Sequence, residues 1–496
     1  MEFFWQNLPF FCILLCIASA SFTLIMSRRA AQATCLTVIS AVIAMSVLLI
    51  ARVSAFGGSY TFSMGHFPAP WGNEIRVGLL EAVMALGLSL IMLFSLLGGL
   101  DRIGEHVFAD KHNLYFITFE LLLAALLAQV YTNDLFTAYV FVEIMTLTAC
   151  VLIVARSKGR TLVAATRYMI MNLMGSGLFL LGLCFLYDLT GHLLMGNIHE
   201  KVAQVASDAA YGRVLTVTVA LMSLGLAIKS ALFPFHTWLP DAYGYSTPTS
   251  SAALSSLVSK GYIFLLIKLF YRVIGMDVIN QIRINDVLFV FGLVGTIMGS
   301  LSAIREKDIR RMVSFSSVAQ IGYIYMGIGM GSEAGMVAAV FHIFVHGAAK
   351  SMLFLSTSGL VQVSGESKHF RDLRGSGFRN PLAGVAFTVG SFSMVGIPFL
   401  GGFISKVYFA KAAMMLNPTR TVIVLLVLAA STLLNTVYFL KTVITLYRND
   451  SADAPKHRAA PVFALSMLCM VAANLALGVF SQPIIEAIRA GLRMFA

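Results

Sequence analysis

The chain has 496 residues, of which 58% are hydrophobic and only 12% are charged, and its mean hydropathy is +0.84. A soluble protein of this length would need roughly twice that share of charged residues to cover its surface, so the composition excludes a soluble globular fold. The formal net charge of +12 does not indicate a nucleic-acid partner, because the lysines and arginines are spread among short loops and form no basic domain.

Long apolar runs follow one another along the whole chain. A bilayer core about 30 Å thick is spanned by about 20 helical residues, and the runs have this length. They predict an all-α integral membrane protein with about fourteen transmembrane helices, near residues 4–26, 31–53, 78–100, 113–130, 135–155, 166–188, 213–232, 249–271, 286–303, 313–330, 334–361, 382–412, 421–447 and 460–485. The first run has no basic residue before it and Arg28 and Arg29 after it, so we expect a retained helix and no cleaved secretory signal.

The loop charges predict the orientation of these helices. Most of the loop lysines and arginines, such as Arg28, Arg156, Arg310 and Arg371, fall in the odd-numbered connections. Since Lys and Arg collect in cytoplasmic loops, we expect a multi-pass protein of the cell inner (cytoplasmic) membrane with both termini on the non-cytoplasmic side.

Motifs for energy-yielding cofactors are missing from the sequence. The six cysteines include no C-x-x-C pair, whereas an iron–sulfur cluster needs four closely spaced Cys ligands. There is also no P-loop and no Rossmann glycine pattern. We therefore expect no cofactor in this chain, and energy for any uphill transport from an ion gradient or from partner subunits.

Four ionisable residues lie deep inside separate apolar runs: Glu143, Lys229, Lys260 and Lys406. A charged side chain at the bilayer centre costs about 2.5–3.5 kcal/mol on insertion scales, so it is retained for a reason. Snorkelling or a structural ion pair would explain any one of these lysines. Four such residues in one chain point instead to a function.

Proton transfer is the chemistry that these residues suit. Burial disfavours the charged form of a lysine, and a nearby carboxylate restores it. A glutamate that approaches or leaves a lysine would therefore switch the lysine's proton on and off. Glu143 and Lys229 are the candidate pair.

Two of the lysine-bearing runs also contain helix breakers. Pro234 and Pro240 follow Lys229, and Gly396 and Pro398 precede Lys406. A structural proline kink is common in membrane helices, but interrupted helices in corresponding positions of two halves are typical of transporters built from inverted repeats.

The first break also contains His236 and Asp241. These two residues would belong either to the entrance of an ion path or to a loop cap, and both interpretations stay open.

The eleventh run places His342, His346 and Lys350 at positions i, i+4 and i+8 on one helix face. Two histidines at this spacing could ligate a haem or a metal, but a third ligand is missing and the next residue on that face is a cation. A hydrated His–His–Lys column that carries protons fits better, because histidine titrates near physiological pH.

Four segments together resemble the antiporter-like subunit family. They are AIKSALFPFHTWLPDAYGYSTPTSSAALSSLVSKGYIFLLIKLF, AIREKDIRRMVSFSSVAQIGYI, FHIFVHGAAKSMLFLSTSGL and GIPFLGGFISKVYF. The family comprises the membrane-arm pumping subunits of respiratory complex I, the large subunits of Mrp cation/proton antiporters, and their counterparts in energy-converting membrane-bound hydrogenases. The resemblance spans roughly residues 75–450.

This resemblance implies two inverted five-helix repeats, helices 4–8 and 9–13, with helices 7 and 12 broken. The corresponding domains would be residues 1–111 with helices 1–3, residues 112–272 and 284–448 with the two repeats, and residues 449–496 with helix 14. The resemblance also implies an ion-translocation role for Glu143, Lys229, Lys260, His342, His346, Lys350 and Lys406.

The sequence departs from the family pattern in two places. Leu254 stands where some relatives have a histidine, so the connection between Lys229 and Lys260 would rely on water and the serines at 255, 256 and 259. Glu120, in the middle of helix 4, is an extra buried carboxylate that would serve either as a second partner for a lysine or as part of a structural ion pair.

The leading functional hypothesis is a proton- or sodium/proton-translocating subunit of a multi-subunit redox-driven complex, resembling complex I or an energy-converting hydrogenase. The chain would then belong to an ion-translocating oxidoreductase without carrying the redox site itself. Its partners would be other membrane subunits, including other antiporter-like subunits, the lipid bilayer, and protons or sodium. The alternative is an Mrp-type cation/proton antiporter subunit, and a quinone-reactive membrane enzyme or a non-pumping scaffold is less favoured.

The predicted orientation can be tested by labelling single cysteines in the loops. Cysteines in loops 305–311 and 366–379 should react with an impermeant reagent only from the cytoplasmic side, because these loops carry the positive charge. A cysteine near residue 196 should react only from the opposite side. The reverse pattern would show that the charge bias or the helix count is wrong.

Overall fold

The computed structural model describes residues 5–67, 72–156, 158–206, 211–448 and 457–495. The expected start of the first helix at residue 4, and residues 449–456 of the last predicted domain, lie outside this part of the chain. Within it the fold is almost entirely helical, as the sequence predicts.

Each of the fourteen predicted stretches contains a helix, here numbered in chain order. These are α1 (Leu8–Thr23), α2 (Arg28–Phe56), α3 (Leu79–Leu97), α4 (His112–Tyr131), α5 (Leu135–Val154), α6 (Gly159–Thr190), α7 (Gly212–Lys229), α8 (Pro248–Ile274), α9 (Ile284–Arg305), α10 (Ile309–Gly329), α11 (Glu333–Gln362), α12a (Pro381–Val395), α12b (Gly401–Ala413), α13 (Pro418–Leu446) and α14 (Pro461–Val479). Shorter helices lie at Ile103–His106, Met195–Ala206, Leu239–Tyr245, Met276–Ile282, Ser376–Arg379 and Ser481–Arg493.

Eleven helices of the described chain are long and apolar enough to cross a membrane. The three other predicted spans differ from these for physical reasons. The described part of α1 is shorter, α12 is divided by its break, and α10 carries two arginines and three serines. A multi-pass membrane fold is therefore confirmed, and the count of fourteen crossings stays a prediction.

Local sequence determines where several helices begin and end. The Asp134 carboxylate accepts a hydrogen bond from the Thr137 amide at 2.6 Å and so caps the start of α5. At the other end, Gly57 after α2 and Gly191 after α6 adopt the left-handed conformation of a helix C-cap, with φ of 71° and 72°.

The even-numbered connections meet on one face of the helix bundle. A hairpin of two antiparallel strands, β1 (Tyr60–Ser63) and β2 (Glu74–Val77), lies there. The Asn133 amide, which follows α4, donates to the Glu74 carbonyl at 2.8 Å, and Asp134 forms a β-bridge with Leu194 after α6.

The odd-numbered connections meet on the opposite face. Asp308 after α9 forms a β-bridge with His369 after α11, and the Arg102 guanidinium after α3 lies 2.6 Å from the Glu366 carboxylate. The loops that carry most of the positive charge are therefore neighbours, and we call this side the basic face. Its assignment to the cytoplasm stays a prediction.

The helices that carry Lys260 and the His342, His346 and Lys350 column lie at the centre of the bundle. The most apolar 18-residue windows of α8 and α11 are completely buried, whereas only a third of the corresponding windows of α2, α13 and α14 is buried. The peripheral helices thus present apolar side chains outward, and α8 and α11 are shielded from lipid on all sides.

Both predicted helix breaks are present. After α7 ends at Lys229, a 3₁₀ turn (Phe235–Trp238) and the short helix Leu239–Tyr245 precede α8. Between α12a and α12b, Gly396 and Phe399 have positive φ angles of 92° and 71°. The relation of helices 4–8 and 9–13 as inverted repeats, with the domain limits given above, stays a prediction.

Candidate ion-translocation site

Lys229 and Glu143 are in contact inside the bundle. Lys229 is the last residue of α7 and its side chain is 0% exposed, and Nζ lies 3.3 Å from Oε1 of Glu143 on α5. The glutamate side chain is 26% exposed and also accepts a hydrogen bond from the Ser176 hydroxyl of α6. The structure thus brings together the two residues that the sequence proposed as a pair.

The position of Lys229 stabilises a positive charge in two ways. At 3.3 Å and an effective dielectric of about 20, attraction to the carboxylate is roughly 5 kcal/mol. Lys229 also stands at the C-terminal end of α7, where the negative end of the helix dipole favours cations.

Thr146 and Tyr262 connect this ion pair to α8. Thr146 lies one turn after Glu143 on α5, and its hydroxyl accepts a hydrogen bond of 2.9 Å from Lys229 Nζ. The same hydroxyl is 2.9 Å from the Tyr262 hydroxyl, and the Tyr262 ring lies 5.3 Å from Lys229 Nζ. These two residues were not predicted from the sequence, although Thr146 lies three residues after Glu143 and Tyr262 lies two residues after Lys260.

Lys260 is bound by backbone and hydroxyl oxygens. The preceding segment of α8, Leu254–Val258, is a π-helix, a widened geometry that is frequent at functional sites. Lys260 Nζ donates to the Ser255 carbonyl and, at 3.1 Å, to the Ser259 hydroxyl. Among the described residues, no carboxylate lies within ion-pair distance of Lys260.

The serines expected to link Lys229 and Lys260 do surround Lys260. Besides the contacts of Ser255 and Ser259 with the amine, the Ser255 hydroxyl lies 3.2 Å from the Ser317 hydroxyl of α10. The Ser256 hydroxyl is buried without a protein partner. On the Lys229 side, however, the polar contacts come from Thr146 and Tyr262 and not from these serines.

The two histidines of α11 stack on each other. The rings of His342 and His346 are 6.0 Å apart and nearly parallel, at 13°. His342 Nδ1 lies 2.7 Å from the Ser405 hydroxyl of α12b, whereas its Nε2 and both ring nitrogens of His346 are buried without a protein partner. Such orphan nitrogens are suited to water or to a transferred proton. In the described chain, no group of three or more His, Cys, Asp or Glu side chains is placed to hold a metal.

Lys350, one helical turn beyond His346, binds α10. Its Nζ donates to the Val313 carbonyl at 3.0 Å and to the Ser316 hydroxyl. Lys350 and Lys260 both lie within electrostatic reach of His346. The imidazole is therefore placed near both lysines.

Lys406 lies on α12b, after the second break, and its amine reaches back across that break. Its Nζ donates to the Val395 carbonyl at the end of α12a, at 2.6 Å, and to the Thr432 hydroxyl of α13, at 2.8 Å. Tyr323 lies between two members of the site, with its ring 5.8 Å from Lys406 Nζ and 5.7 Å from the His342 ring.

Glu120 lies apart from these lysines. Its carboxylate accepts hydrogen bonds from the Thr23 hydroxyl of α1, at 3.2 and 3.4 Å. No basic side chain of the described chain lies within ion-pair distance of it. Both interpretations given to Glu120 from the sequence, a lysine partner and a structural ion pair, are therefore unsupported by the contacts.

The two candidates in the first break have different surroundings. Asp241 is held by Arg167, at 2.5 Å, and by Arg311 of α10, so it fastens the break to the basic face. His236 stacks on Phe233, with ring centroids 5.2 Å apart, and its Nδ1 is buried without a protein partner. The contacts of Asp241 fit the loop-cap interpretation, and those of His236 fit either one.

Two basic residues that the sequence analysis treated as loop charges support the same break. Arg310 donates to the Ser246 carbonyl at 2.7 Å and the Ser251 hydroxyl at 2.5 Å, and Lys368 donates to the Gly244 carbonyl at 2.9 Å. These carbonyls have no helical partner because the helix is interrupted, so the cations replace the missing backbone hydrogen bonds.

Lys268 is a further buried lysine that sequence reasoning missed. It lies on α8 and donates to the Val130 and Thr132 carbonyls at the C-terminal end of α4, at 2.9 and 2.5 Å. Its position deep in an apolar run could have identified it as a buried charge. Its contacts, however, are those of a side chain that caps the C-terminal end of a helix.

A family model described as "NADH:quinone oxidoreductase/Mrp antiporter, TM" matches residues 132–434, more than half of the chain. The chain belongs to this family. The matched range contains every residue of the site described above except Glu120. The chain is thus an antiporter-like, multi-pass membrane subunit.

Individual relatives include an NADH-quinone oxidoreductase subunit and an antiporter subunit. NADH-quinone oxidoreductase subunit N of Desulforudis audaxviator is 29% identical over 471 residues, which cover 90% of each chain. The putative antiporter subunit mnhD2 of Staphylococcus aureus is 30% identical over 354 residues, which cover 71% of this chain and 69% of that one.

Solved structures share the fold at lower sequence identity. The archaeal membrane-bound sulfane sulfur reductase has a chain with a TM-score of 0.88 and 23% identity, which covers 99% of this chain and 98% of that one. The Mrp complex from Dietzia sp. DQ12-45-1b gives a TM-score of 0.87 and 22% identity, with coverage of 98% and 97%. A chain of respiratory complex I from Thermus thermophilus gives a TM-score of 0.76 and 21% identity, and the match covers 98% of this chain and 100% of that one.

The hydroxyl of Thr146 provides a direct test of this geometry. Replacing it in Thr146→Val keeps the shape but removes an acceptor for the Lys229 ammonium, so ion transport in reconstituted vesicles should fall roughly tenfold or more. Thr148→Val is the matched control, because the Thr148 hydroxyl bonds only to the Ile144 and Met145 carbonyls of its own helix. Equal losses in both variants would contradict a specific role for Thr146.

Proposed function

We propose that this chain translocates protons, or exchanges sodium for protons, as a subunit of a multi-subunit redox-driven membrane complex. The observation that carries the proposal is the contact between Lys229 and Glu143 at the broken end of α7. A fully buried ammonium beside a carboxylate is a charge whose proton can be retained or released as the carboxylate moves. Few structural roles require such a pair at this depth.

The polar groups extend from this pair across both halves of the bundle. Thr146 and Tyr262 lead to α8, where Lys260 contacts Ser255, and Ser255 contacts Ser317 of α10. In the second half, His342 contacts Ser405, and Lys406 is one residue further along α12b. We infer that water fills the gaps between these groups, which supports a continuous proton path with Lys229 near one end and Lys406 near the other.

The relatives favour a redox-driven complex without excluding an antiporter. A relative named as an NADH-quinone oxidoreductase subunit matches over 90% of both chains, which supports the redox-driven assignment. The antiporter relative and the TM-score of 0.87 with an Mrp complex support the second candidate, an Mrp-type cation/proton antiporter subunit. Identification of the subunits that co-purify with the chain separates the two.

The partners and the location follow from the same proposal. The chain would lie in the cell inner (cytoplasmic) membrane beside other membrane subunits, including other antiporter-like subunits, with its basic face toward the cytoplasm and both termini on the opposite side. Its similarity to chains of several multi-subunit membrane complexes supports such partners. The redox chemistry would be carried by another subunit.

The central test is the Lys229→Ala variant of the complex. The complex should assemble, but proton uptake into reconstituted vesicles should be abolished, because the cation that responds to Glu143 is gone. Lys229→Arg should be nearly as harmful, since a guanidinium stays protonated at any working pH and cannot cycle. Lys201→Ala, which removes an exposed lysine on the other face, is the control and should pump normally. Normal pumping by assembled Lys229→Ala would refute the proposal.

A double-substitution experiment tests whether Glu143 and Lys229 act as one unit. Glu143→Gln removes the negative charge beside the ammonium, so transport should fall sharply. The double variant Glu143→Gln with Lys229→Ala should be scarcely worse than either single variant, because residues that act together are non-additive. Initial rates of proton uptake would be compared for the wild type, both single variants and the double variant. Independent, multiplicative losses would mean that the two residues serve separate steps.

A further inference from the structure

A solvent-accessible basin of about 580 Å³ opens on the basic face, away from the buried lysines. It is formed by the connections between α5 and α6, between α9 and α10, and between α11 and α12a. The charged side chains around it are those of Arg156, Lys158, Arg160, Asp308, Glu366 and Lys368. The ion-translocation site described above uses none of them as an ion carrier.

The two carboxylates of the basin are already engaged. The Asp308 side chain caps α10, accepting hydrogen bonds from the Arg310 amide at 2.8 Å and the Arg311 amide at 3.2 Å. Glu366 is paired with Arg102, at 2.6 Å. Each carboxylate therefore has another partner besides the cations of the basin.

Three cations of the basin have no carboxylate partner among the described residues. Arg156, Lys158 and Arg160 form no ion pair there, and Nε of Arg156 is buried without a hydrogen-bond acceptor. Arg160 instead lies over the Tyr245 ring, at 5.7 Å. A buried guanidinium N–H without an acceptor is costly, so a missing acceptor is the simplest explanation of this arrangement.

The excess of positive charge also affects the pKa of Lys368. It lies in the loop before α12a, where its ammonium donates to the Gly244 carbonyl at 2.9 Å. Burial, together with repulsion from Arg310, Arg156 and Lys158, lowers the pKa of Lys368 to about 6, although the negative charge of Asp308 opposes this shift. His369 and Tyr245 also line the basin.

The first turn of α6 completes the basin. Residues 159–161 line it, and a Cβ built at Gly159 would meet no atom within 4 Å, so the space in front of the helix start is open. The Thr161 N–H of this turn already donates to the Lys158 carbonyl, at 2.9 Å, but the helix dipole favours an anion in front of the helix start. The basin thus combines cations from two separate loops with the positive end of a 32-residue helix.

We propose that this basin binds a phosphate group. Several donors from separate elements suit an anion with oxygens in several directions, and arginine and lysine are both common phosphate ligands. The volume exceeds what one phosphate fills, so the phosphate belongs to a larger molecule or is accompanied by water. The headgroup of an anionic phospholipid and a soluble phosphate share this chemistry. The inference does not rest on the proposed ion transport.

Occupancy of the basin has a defined consequence for Lys368. An anion beside it favours the ammonium form, so the pKa of Lys368 rises from about 6 when the phosphate binds. Near pH 7 binding therefore takes up a proton, and the affinity falls as the pH is raised above about 6. The same ammonium holds the Gly244 carbonyl, so occupancy strengthens that contact with the first helix break.

Calorimetry of the full-length chain, purified with its partner subunits in a neutral detergent, tests the proposal. Two probes are titrated in separate experiments, inorganic phosphate and short-chain phosphatidylglycerol. The phosphodiester of the lipid does not titrate near neutral pH, so repeating that titration in buffers of different ionisation enthalpy measures the proton taken up by the protein. Binding of the lipid alone identifies a headgroup site, and binding of both probes identifies a general phosphate site.

Substitutions then connect the binding to the basin. The double variant Arg156→Gln with Lys158→Gln should bind the probe roughly tenfold or more weakly, because two charge-assisted contacts are lost. Lys368→Met should retain part of the affinity but take up no proton. Lys307→Gln, an exposed lysine on the same face, is the matched control and should bind as the wild type does.

Thermal unfolding of each variant shows whether it is folded. The proposal is overturned if neither probe binds the wild type, or if the folded double variant binds as tightly as the Lys307→Gln control. Proton uptake that persists in Lys368→Met would overturn the role of Lys368.

Discussion

The ion pair of Lys229 and Glu143 forms at the point where α7 stops. If α7 continued, the negative end of the helix dipole would lie further along the chain and would no longer favour the ammonium. The break therefore does more than bend the helix. It creates a buried end at which a lysine is stabilised by a carboxylate, a hydroxyl and an aromatic ring together.

The other lysines of the site are stabilised differently. Lys260, Lys350 and Lys406 donate to backbone carbonyls and hydroxyls, and none has a carboxylate within ion-pair distance in the described chain. Dipoles hold such an amine less strongly than a full opposite charge does. Along the proposed path, Lys229 is thus the member whose charge depends most on one partner, and the movement of Glu143 is the natural point of control.

Much of the fold was predictable because lipid imposes simple rules on sequence. Run length predicted the helices, loop charge predicted which connections share a face, and Pro234 and Pro398 predicted the two breaks. The number of crossings was harder, because a helix such as α10 carries arginines and serines that meet other helices and not lipid. Hydropathy measures composition, and it does not report what a polar side chain contacts.

The candidate site was predictable as a set of residues but not as a set of contacts. Buried charge identified Glu143, Lys229 and Lys260, because a charge in an apolar run is expensive whatever its surroundings. Thr146 was not predicted because a threonine hydroxyl in a membrane helix usually bonds to the backbone of its own helix, as that of Thr148 does. Only the tertiary fold distinguishes the hydroxyl that meets a lysine from the one that does not.

On the basic face, too, the sequence predicted the charged residues but not their contacts. From sequence, Arg310 and Lys368 were loop charges that orient the chain, and Glu120 was a candidate partner for a lysine. In the structure, Arg310 and Lys368 hold the carbonyls of Ser246 and Gly244, while the Glu120 carboxylate accepts hydrogen bonds from the Thr23 hydroxyl.

These contacts connect the surface with the interior. Arg310 reaches Ser251, and the Ser255 carbonyl one turn further along α8 accepts the hydrogen bond of Lys260. Arg310, which counts as a loop charge in the sequence, therefore also positions the start of α8, the helix that carries Lys260.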